Sequence, residues 1–202
     1  MHCDAAVVSA ESYIGLVEVG VGLIPGGGGT KEFALRASDG FFEGDVMIPS
    51  LIERFKTIAM ATVATSGPEA YGLGYLSKGR DRIVTNVDRN ISEAKKDVIR
   101  LSEGYVQATP RKDVTVLGQG GMAALYAAAH SLKLGNYASE HDILIAKKVA
   151  SVLCGGDLSG KQQVSEQYLL DIEREAFLSL CGEVKTMERI QHMLEKNKPL
   201  RN

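Results

Sequence analysis

One carboxylate in the first thirty residues has surroundings that suit acid–base chemistry. Glu18 lies in a run of valines, leucine and isoleucine that leads to Pro25 and to four consecutive glycines at 26–29. An apolar environment raises the pKa of a carboxyl group toward neutrality, where it can donate or accept a proton. Glycines let main-chain amides come close to a ligand. The segment therefore predicts an acid beside bare main chain, although a surface glutamate followed by a flexible turn is the alternative.

Short strands and helices are predicted to position this segment. From the N-terminus we predict a buried strand over 3–9, an extended segment over 13–21 that carries Glu18, and a short helix over 31–36 with Thr30 as its N-cap. A loop over 38–50, a helix over 49–60, a turn at 66–68, a strand over 82–87 and an amphipathic helix over 92–102 follow. No internal repeat is visible.

The C-terminal region has the pattern of four helices. They are predicted over 121–134, from a capping-box-like start at 139–142 to about 154, over 165–180 and over 186–196, with Thr186 opening the last. The charged residues 173–175 are expected to form a solvated face, with a catalytic cluster as the alternative. His141 and Asp142 could suggest acid–base chemistry, but an aspartate at a helix start more often stabilises the helix dipole.

Composition excludes several classes of function. The 202 residues are 45% hydrophobic with a net charge of −2, which fits a soluble globular protein and gives no basic face for nucleic acid. The chain has Cys3, Cys154 and Cys181, which we interpret as reduced, buried thiols of a cytoplasmic protein. The four histidines are scattered and predict no metal site. No apolar run is long enough to span a membrane, and no secretory signal is recognisable at the N-terminus.

Residues 114–123 have a strand-then-GxGxxA pattern, which is typical of nicotinamide dinucleotide sites. That site also needs a second strand that ends in an acid, whereas residues 135–142 have the pattern of a loop and a helix cap. We therefore favour a plain tight turn between strand and helix, with dinucleotide binding as the alternative.

Several segments resemble the crotonase superfamily, the enoyl-CoA hydratases and isomerases. The resemblance begins at Cys3 and Asp4, passes through Glu18 and "GLIPGGGGT" at 22–30, and continues in "ATSGPEAYGLGYL" at 64–76. "EQYLLDIEREAFLSL" at 166–180 and "KPLRN" at 198–202 are similar to the C-terminus of long bacterial 3-hydroxyacyl-CoA dehydrogenases that end in a hydratase module.

The resemblance implies a fold and a set of site residues. It implies an α/β fold in which residues 1–88 are the second half of a crotonase-type ββα spiral core and residues 89–202 are a mostly α-helical region. Glu18 would be the catalytic acid that protonates the α-carbon of the substrate. The substrate-binding residues would be Pro25, Gly26, Gly28, Gly29, Lys196 and Lys198. The partner glutamate and the oxyanion hole of the family would fall upstream of Met1.

The implied function is that of a C-terminal part of a fatty-acid β-oxidation enzyme, the enoyl-CoA hydratase module of a 3-hydroxyacyl-CoA dehydrogenase, acting on acyl-CoA thioesters. Coenzyme A would be part of the substrate, and NAD would belong to an upstream module, so no cofactor is expected in these residues. Expected partners are a second copy or an N-terminal half. The alternatives are a non-catalytic assembly remnant and an isomerase that uses Glu18 alone.

Overall fold

A computed structural model describes residues 1–202 and is a mixed α/β structure, most of it helical. The helices are α1 (Gly29–Asp39), α2 (Met47–Ala59), α3 (Gly67–Gly72), α4 (Asn90–Ser102), α5 (Gly118–Leu134), α6 (Glu140–Cys154), α7 (Glu166–Cys181) and α8 (Val184–Lys196). The strands are β1 (Val7–Ser9), β2 (Ile14–Gly15), β3 (Val63–Ala64), β4 (Arg82–Val84), β5 (Val114–Val116) and β6 (Gln162–Val164). Two 3₁₀ helices cover Glu18–Val21 and Val87–Arg89. The predicted α/β class and the helical C-terminal region are confirmed, while the crotonase spiral stays a prediction.

The chain divides into two compact units. Unit 1 contains residues 1–15 and 63–109, and unit 2 contains residues 16–62 and 110–202. Each unit takes residues from both sides of position 88. The predicted boundary at position 88 comes from a resemblance in sequence, whereas these units are defined by contacts in the structure. The two divisions are not the same quantity, and the predicted regions 1–88 and 89–202 stay a prediction.

Unit 1 is built on two pairs of short strands. β1 pairs with β4 in parallel, with Val7 opposite Arg82, and β2 pairs with β3 in antiparallel orientation. The buried carboxylate of Asp81 accepts hydrogen bonds from the amides of Ala6 at 2.9 Å and Ser77 at 2.6 Å, which fixes the entry to both strands of the parallel pair. Both strands are shorter than the ranges predicted for them, and the prediction that the first strand is buried is wrong, since all three residues of β1 are half-buried.

Ion pairs attach α4 to the parallel strands. Arg82 of β4 pairs with Glu93 at 2.9 Å and with Asp97 at 3.3 Å, and both acids are buried on one face of the helix. The amphipathic helix predicted over 92–102 is confirmed, and it begins two residues earlier at Asn90. The buried residues of α4 are these two acids, so the helix is held to the strands by charge.

Unit 2 has a helical core with α6 in contact with α1, α2, α5 and α7. The largest fully buried side chains in this core include Phe33, Phe55, Leu51, Leu125, Ile145 and Leu169. The helical periodicity of these apolar residues predicts helices α2 and α5–α7 correctly. No helix has the length and apolarity that a membrane span requires.

Local signals at the helix ends are confirmed where the sequence shows them. The Ser139 side chain accepts from the Asp142 amide while the Asp142 carboxylate accepts from the Ser139 amide, so α6 begins with a true capping box. Gly155 ends α6 in the left-handed conformation. The Ser66 and Ser165 side chains cap α3 and α7 more simply, each accepting one hydrogen bond, from the amides of Glu69 and Tyr168.

Three predictions about local structure are wrong. The segment predicted as extended over 13–21 is a strand only at Ile14–Gly15 and then turns into a 3₁₀ helix from Glu18. Thr30 lies inside the first turn of α1, whose N-cap is Gly28. Thr186 lies inside α8, whose N-cap is Glu183.

The cysteines also differ from the prediction of three buried thiols. Cys154 is buried, but Cys3 and Cys181 are exposed. All three are free, and no group of three or more His, Cys, Asp and Glu side chains is arranged to hold a metal ion.

Candidate functional site

Glu18 begins a 3₁₀ helix and is half-buried. Its Oε2 atom is buried and has no hydrogen-bond partner. A buried polar atom without a partner is uncommon in folded proteins, because desolvation is then uncompensated. The expected apolar wall is only partly present, since Val19 is buried while Val17 is 52% exposed. One carboxylate oxygen of Glu18 is therefore shielded from water, but the segment as a whole is partly exposed.

The chain turns sharply after Glu18 because Gly22 adopts a left-handed conformation, with φ of +89°. The Gly22 amide donates to the Val19 carbonyl at 3.1 Å, and the Leu23 amide donates to the Glu18 carbonyl at 3.1 Å. Side chains other than glycine rarely adopt this φ. The alternating valines predict a strand, but Gly20 and Gly22 allow the segment to curl.

The predicted substrate-binding turn is partly closed by the protein itself. Gly26 and Gly27 are exposed, whereas Pro25, Gly28 and Gly29 are buried. A Cβ atom at Gly26 would lie 2.5 Å from the Phe177 ring of α7. A Cβ atom at Gly29 would lie 2.9 Å from both the Leu16 and Pro25 side chains. These two glycines are required for packing within the chain.

A residue from α7 caps the helix that follows the turn. Glu173 is 1% exposed, and its carboxylate accepts from the Gly28 amide at 2.6 Å and from the Lys31 amide at 2.8 Å. Burial raises the pKa of Glu173, and the amide hydrogen bonds and the Lys31 cation oppose that effect. The prediction that Glu173 belongs to a solvated face is wrong, although Arg174 and Glu175 are exposed as predicted. The Gly28 amide already has a partner and cannot serve a ligand. Of the four glycines, only Gly26 and Gly27 are exposed to solvent.

Lys31 is a second buried charge at the start of α1. It is 3% exposed, and its Nζ lies 2.5 Å from Glu32 and 2.7 Å from Glu166. These two acids raise the pKa of Lys31 in spite of its burial, which acts in the opposite direction. The Lys31–Glu166 ion pair and the hydrogen bonds of Glu173 thus connect the N-terminus of α1 to α7.

Helix α8 also reaches the Glu18 turn. The Thr186 hydroxyl donates to the Gly22 carbonyl at 2.8 Å and lies 2.9 Å from Nε2 of His141. Thr186 and His141 are both buried. Neither Glu173 nor Thr186 can be recognised in these roles from the sequence, because each contacts the segment from more than 140 positions away, without a local signal.

A cavity of about 220 Å³ lies next to the Glu18 turn within unit 2. Val19 and Gly20 contribute to its wall, which is mainly apolar, and the wall also contains the Asp142–Arg189 ion pair, 2.7 Å long. Asp142 thus serves the start of α6, as predicted, and also this ion pair, which the sequence does not predict. The cavity has room for a small apolar group.

The predicted lysines are not part of this arrangement. Lys196 ends α8 and Lys198 follows it, and both are exposed without an ion pair. No hydrogen bond or ion pair connects either lysine with the Glu18 segment. Their predicted role near a nucleotide stays a prediction.

The glycine turn between β5 and α5 is filled by the chain's own backbone. A Cβ atom at Gly118 would lie 2.5 Å from the Leu158 carbonyl, and the Gln119 amide donates to that carbonyl at 2.8 Å. In a dinucleotide site such an amide faces the pyrophosphate. The predicted tight turn is confirmed, and β5 pairs in antiparallel orientation with β6 rather than with a second parallel strand.

No protein-family model matches the chain. The sequence is 46% identical over 194 residues to a protein of Bacillus subtilis (strain 168) that is named a probable 3-hydroxyacyl-CoA dehydrogenase. The alignment covers 96% of this chain but 24% of that relative, so the chain spans about a quarter of the relative's length. The chain is thus similar to one part of a much longer protein of that name.

Proposed function

We propose that this chain is the Glu18-bearing part of an enoyl-CoA hydratase module in a protein of the 3-hydroxyacyl-CoA dehydrogenase type, which acts on acyl-CoA thioesters in fatty-acid β-oxidation. The name of the relative supports the pathway. The resemblance of residues 3–30 to crotonases supports the hydratase assignment. NAD would be bound by another part of such a protein.

The observation that carries the proposal is the buried, unpartnered Oε2 atom of Glu18. A carboxyl oxygen in such a position has no internal hydrogen bond to break before it exchanges a proton with a substrate. In the proposed reaction, Glu18 supplies the proton to the α-carbon of an enoyl thioester. Preorganised main-chain amides from the upstream part of the module would stabilise the negative charge that develops on the thioester oxygen.

The apolar cavity beside Val19 supports a substrate with an aliphatic portion. Binding energy from such a portion helps to orient the reacting double bond. The exposed Gly26 and Gly27 give a main-chain surface that a thioester group can approach.

Replacement of the acid tests the proposal. In a crotonyl-CoA hydration assay, Glu18→Gln is expected to lower the rate by roughly 10²–10⁴-fold, the range for loss of a general acid. Glu11→Gln, which changes an exposed glutamate, is the matched control and should leave the rate unchanged. A hydration rate that Glu18→Gln leaves intact would contradict the role of Glu18, and isomerisation of a 3-enoyl-CoA by the same variants tests the isomerase alternative.

An assembly role is a second candidate, favoured by an apolar groove in unit 1. The groove has a volume of about 550 Å³, and its walls include Cys3, Val98, Leu101 and Tyr105. Val98 and Tyr105 are more than half exposed. Exposed apolar patches of this kind often mark interaction sites.

Complementation separates the two candidates. If the chain is half of a split module, mixing it with a separately expressed N-terminal half should give a stable complex with hydration activity that depends on Glu18. A stable complex without activity would favour the assembly role.

A further inference from the structure

A line of three polar groups runs from α6 to the Glu18 turn. Nε2 of His141 lies 2.9 Å from the Thr186 hydroxyl, and that hydroxyl donates to the Gly22 carbonyl at 2.8 Å. All three residues are buried, so water does not compete for these hydrogen bonds.

The direction of each hydrogen bond follows from proton counting. A hydroxyl has one proton, and the proton of Thr186 points to the Gly22 carbonyl, which can only accept. Nε2 of His141 must therefore donate, and it carries the ring proton of the neutral imidazole. Burial and the nearby Arg189 cation lower the pKa of His141, which is consistent with a neutral ring.

Gly22 connects this line to Glu18. The Gly22 residue caps the 3₁₀ helix that Glu18 begins, and the next amide, that of Leu23, closes on the Glu18 carbonyl. A Cβ atom at Gly22 would lie 2.8 Å from the Thr186 hydroxyl oxygen and 2.9 Å from its Cα, so α8 contacts the turn without a gap.

We propose that Thr186 is a positioning residue for Glu18, and that His141 holds the Thr186 hydroxyl in the orientation that this requires. The inference rests on the proposed function of Glu18. Thr186 and His141 themselves touch no reacting atom. They fix the turn from which the acid projects, so their loss should change the environment of the Glu18 carboxyl.

The test measures the turn directly and does not depend on turnover. The variants are Thr186→Val, which removes the hydroxyl at nearly constant volume, and Thr186→Ser, which restores it. Thr57→Val is the matched control, because Thr57 is also buried and its hydroxyl bonds only to the Glu53 carbonyl of its own helix, at 3.0 Å. The readouts are hydrogen exchange of the Leu23 amide and the ¹³C resonance of the Glu18 carboxyl, assigned with Glu18→Gln.

Thr186→Val is expected to accelerate exchange at Leu23 about tenfold, the ratio that corresponds to one hydrogen bond, and to shift the Glu18 resonance. Thr186→Ser should return both readouts toward the wild type, and Thr57→Val should change neither. Equal effects of Thr186→Val and Thr57→Val would overturn the inference.

Variants of His141 keep the inference testable if Thr186→Val does not fold. Glutamine can donate from a position close to Nε2, so His141→Gln should preserve the Leu23 and Glu18 readouts, whereas His141→Leu should change them. If the chain hydrates crotonyl-CoA, Thr186→Val should lower kcat with KM little changed. If a stable complex with the N-terminal half has no hydration activity, the proposed reaction is refuted, while the exchange and resonance measurements still decide the positioning role.

Discussion

At the scale of single residues, Glu173 shows how a charged side chain can be buried in this fold. Its two carboxylate oxygens are occupied by the amides of Gly28 and Lys31, at the positive end of the dipole of α1. An ionised carboxylate is well placed there, but burial still raises its pKa. The sequence around Glu173 is rich in charge, so a solvated face is the natural prediction from it.

This balance predicts a specific pH dependence. Because the pKa of Glu173 is higher in the native state than its ordinary value of 4.5, the native state binds this proton more tightly than the unfolded chain does. The contribution of Glu173 to the free energy of unfolding should therefore be fully present below pH 4.5 and should be lost as the pH rises from there through the native pKa.

Urea denaturation of wild type and Glu173→Gln between pH 4.5 and 7 measures this contribution. The variant leaves one amide without a good acceptor and should be less stable by about 1–3 kcal/mol, with the difference from wild type decreasing as the pH rises. Glu175→Gln, an exposed neighbour on α7, should show no such trend. A difference that grows with pH would contradict the raised pKa.

At the scale of elements, the N-caps of α6 and α7 differ in whether they also form a hydrogen bond with another helix. Ser165 caps α7 with one hydrogen bond to the Tyr168 amide, 3.1 Å long. Ser139 caps α6 and also accepts from the guanidinium of buried Arg189 at 3.3 Å. The cap of α6 thus joins that helix to α8, whereas the cap of α7 is local.

The two caps give a paired prediction. Ser165→Ala should cost about 1 kcal/mol of stability, the usual cost of losing an N-cap. Ser139→Ala should cost about 2 kcal/mol, because it also removes an acceptor from a buried cation. Equilibrium unfolding in urea measures both, and equal costs would show that Arg189 finds another acceptor in the variant.

The same elements show what a sequence reveals. Ser139, Asp142 and Gly155 act within one turn of their own helix, so their residue types suffice to place the ends of α6. The apolar periodicity of α2 also acts locally and predicts its buried face. Tertiary contacts decide the rest: the curl after Glu18 depends on Gly22, which packs against α8, and the start of α1 depends on Glu173.

At the scale of the whole molecule, the three thiols report on different regions. Cys3 in unit 1 and Cys181 in unit 2 are exposed, whereas Cys154 is buried at the end of α6. Burial raises the pKa of the Cys154 thiol to about 12, so almost none of it is thiolate at neutral pH. Cys154 should react only when unit 2 opens.

Alkylation with iodoacetamide at pH 8, followed by mass spectrometry, tests this expectation. Two adducts should form rapidly, and the third should appear at a rate that follows the unfolding of unit 2 as urea is added. Cys154→Ser is the control and should stop at two adducts in urea. If three adducts form at one rate without denaturant, Cys154 is accessible in the native state, and the expectation is wrong.

The hydrogen bond from Thr186 to Gly22 has a consequence for biosynthesis. The two residues are 164 positions apart, so a ribosome that adds roughly 5–20 residues per second needs about 8–33 s to make the second after the first. During that interval the Glu18 turn lacks the contact with α8 that Thr186 provides. Translation products that stop before α8 should therefore carry Glu18 without its native surroundings, and the turn after Glu18 should reach its native form only once α8 has been made.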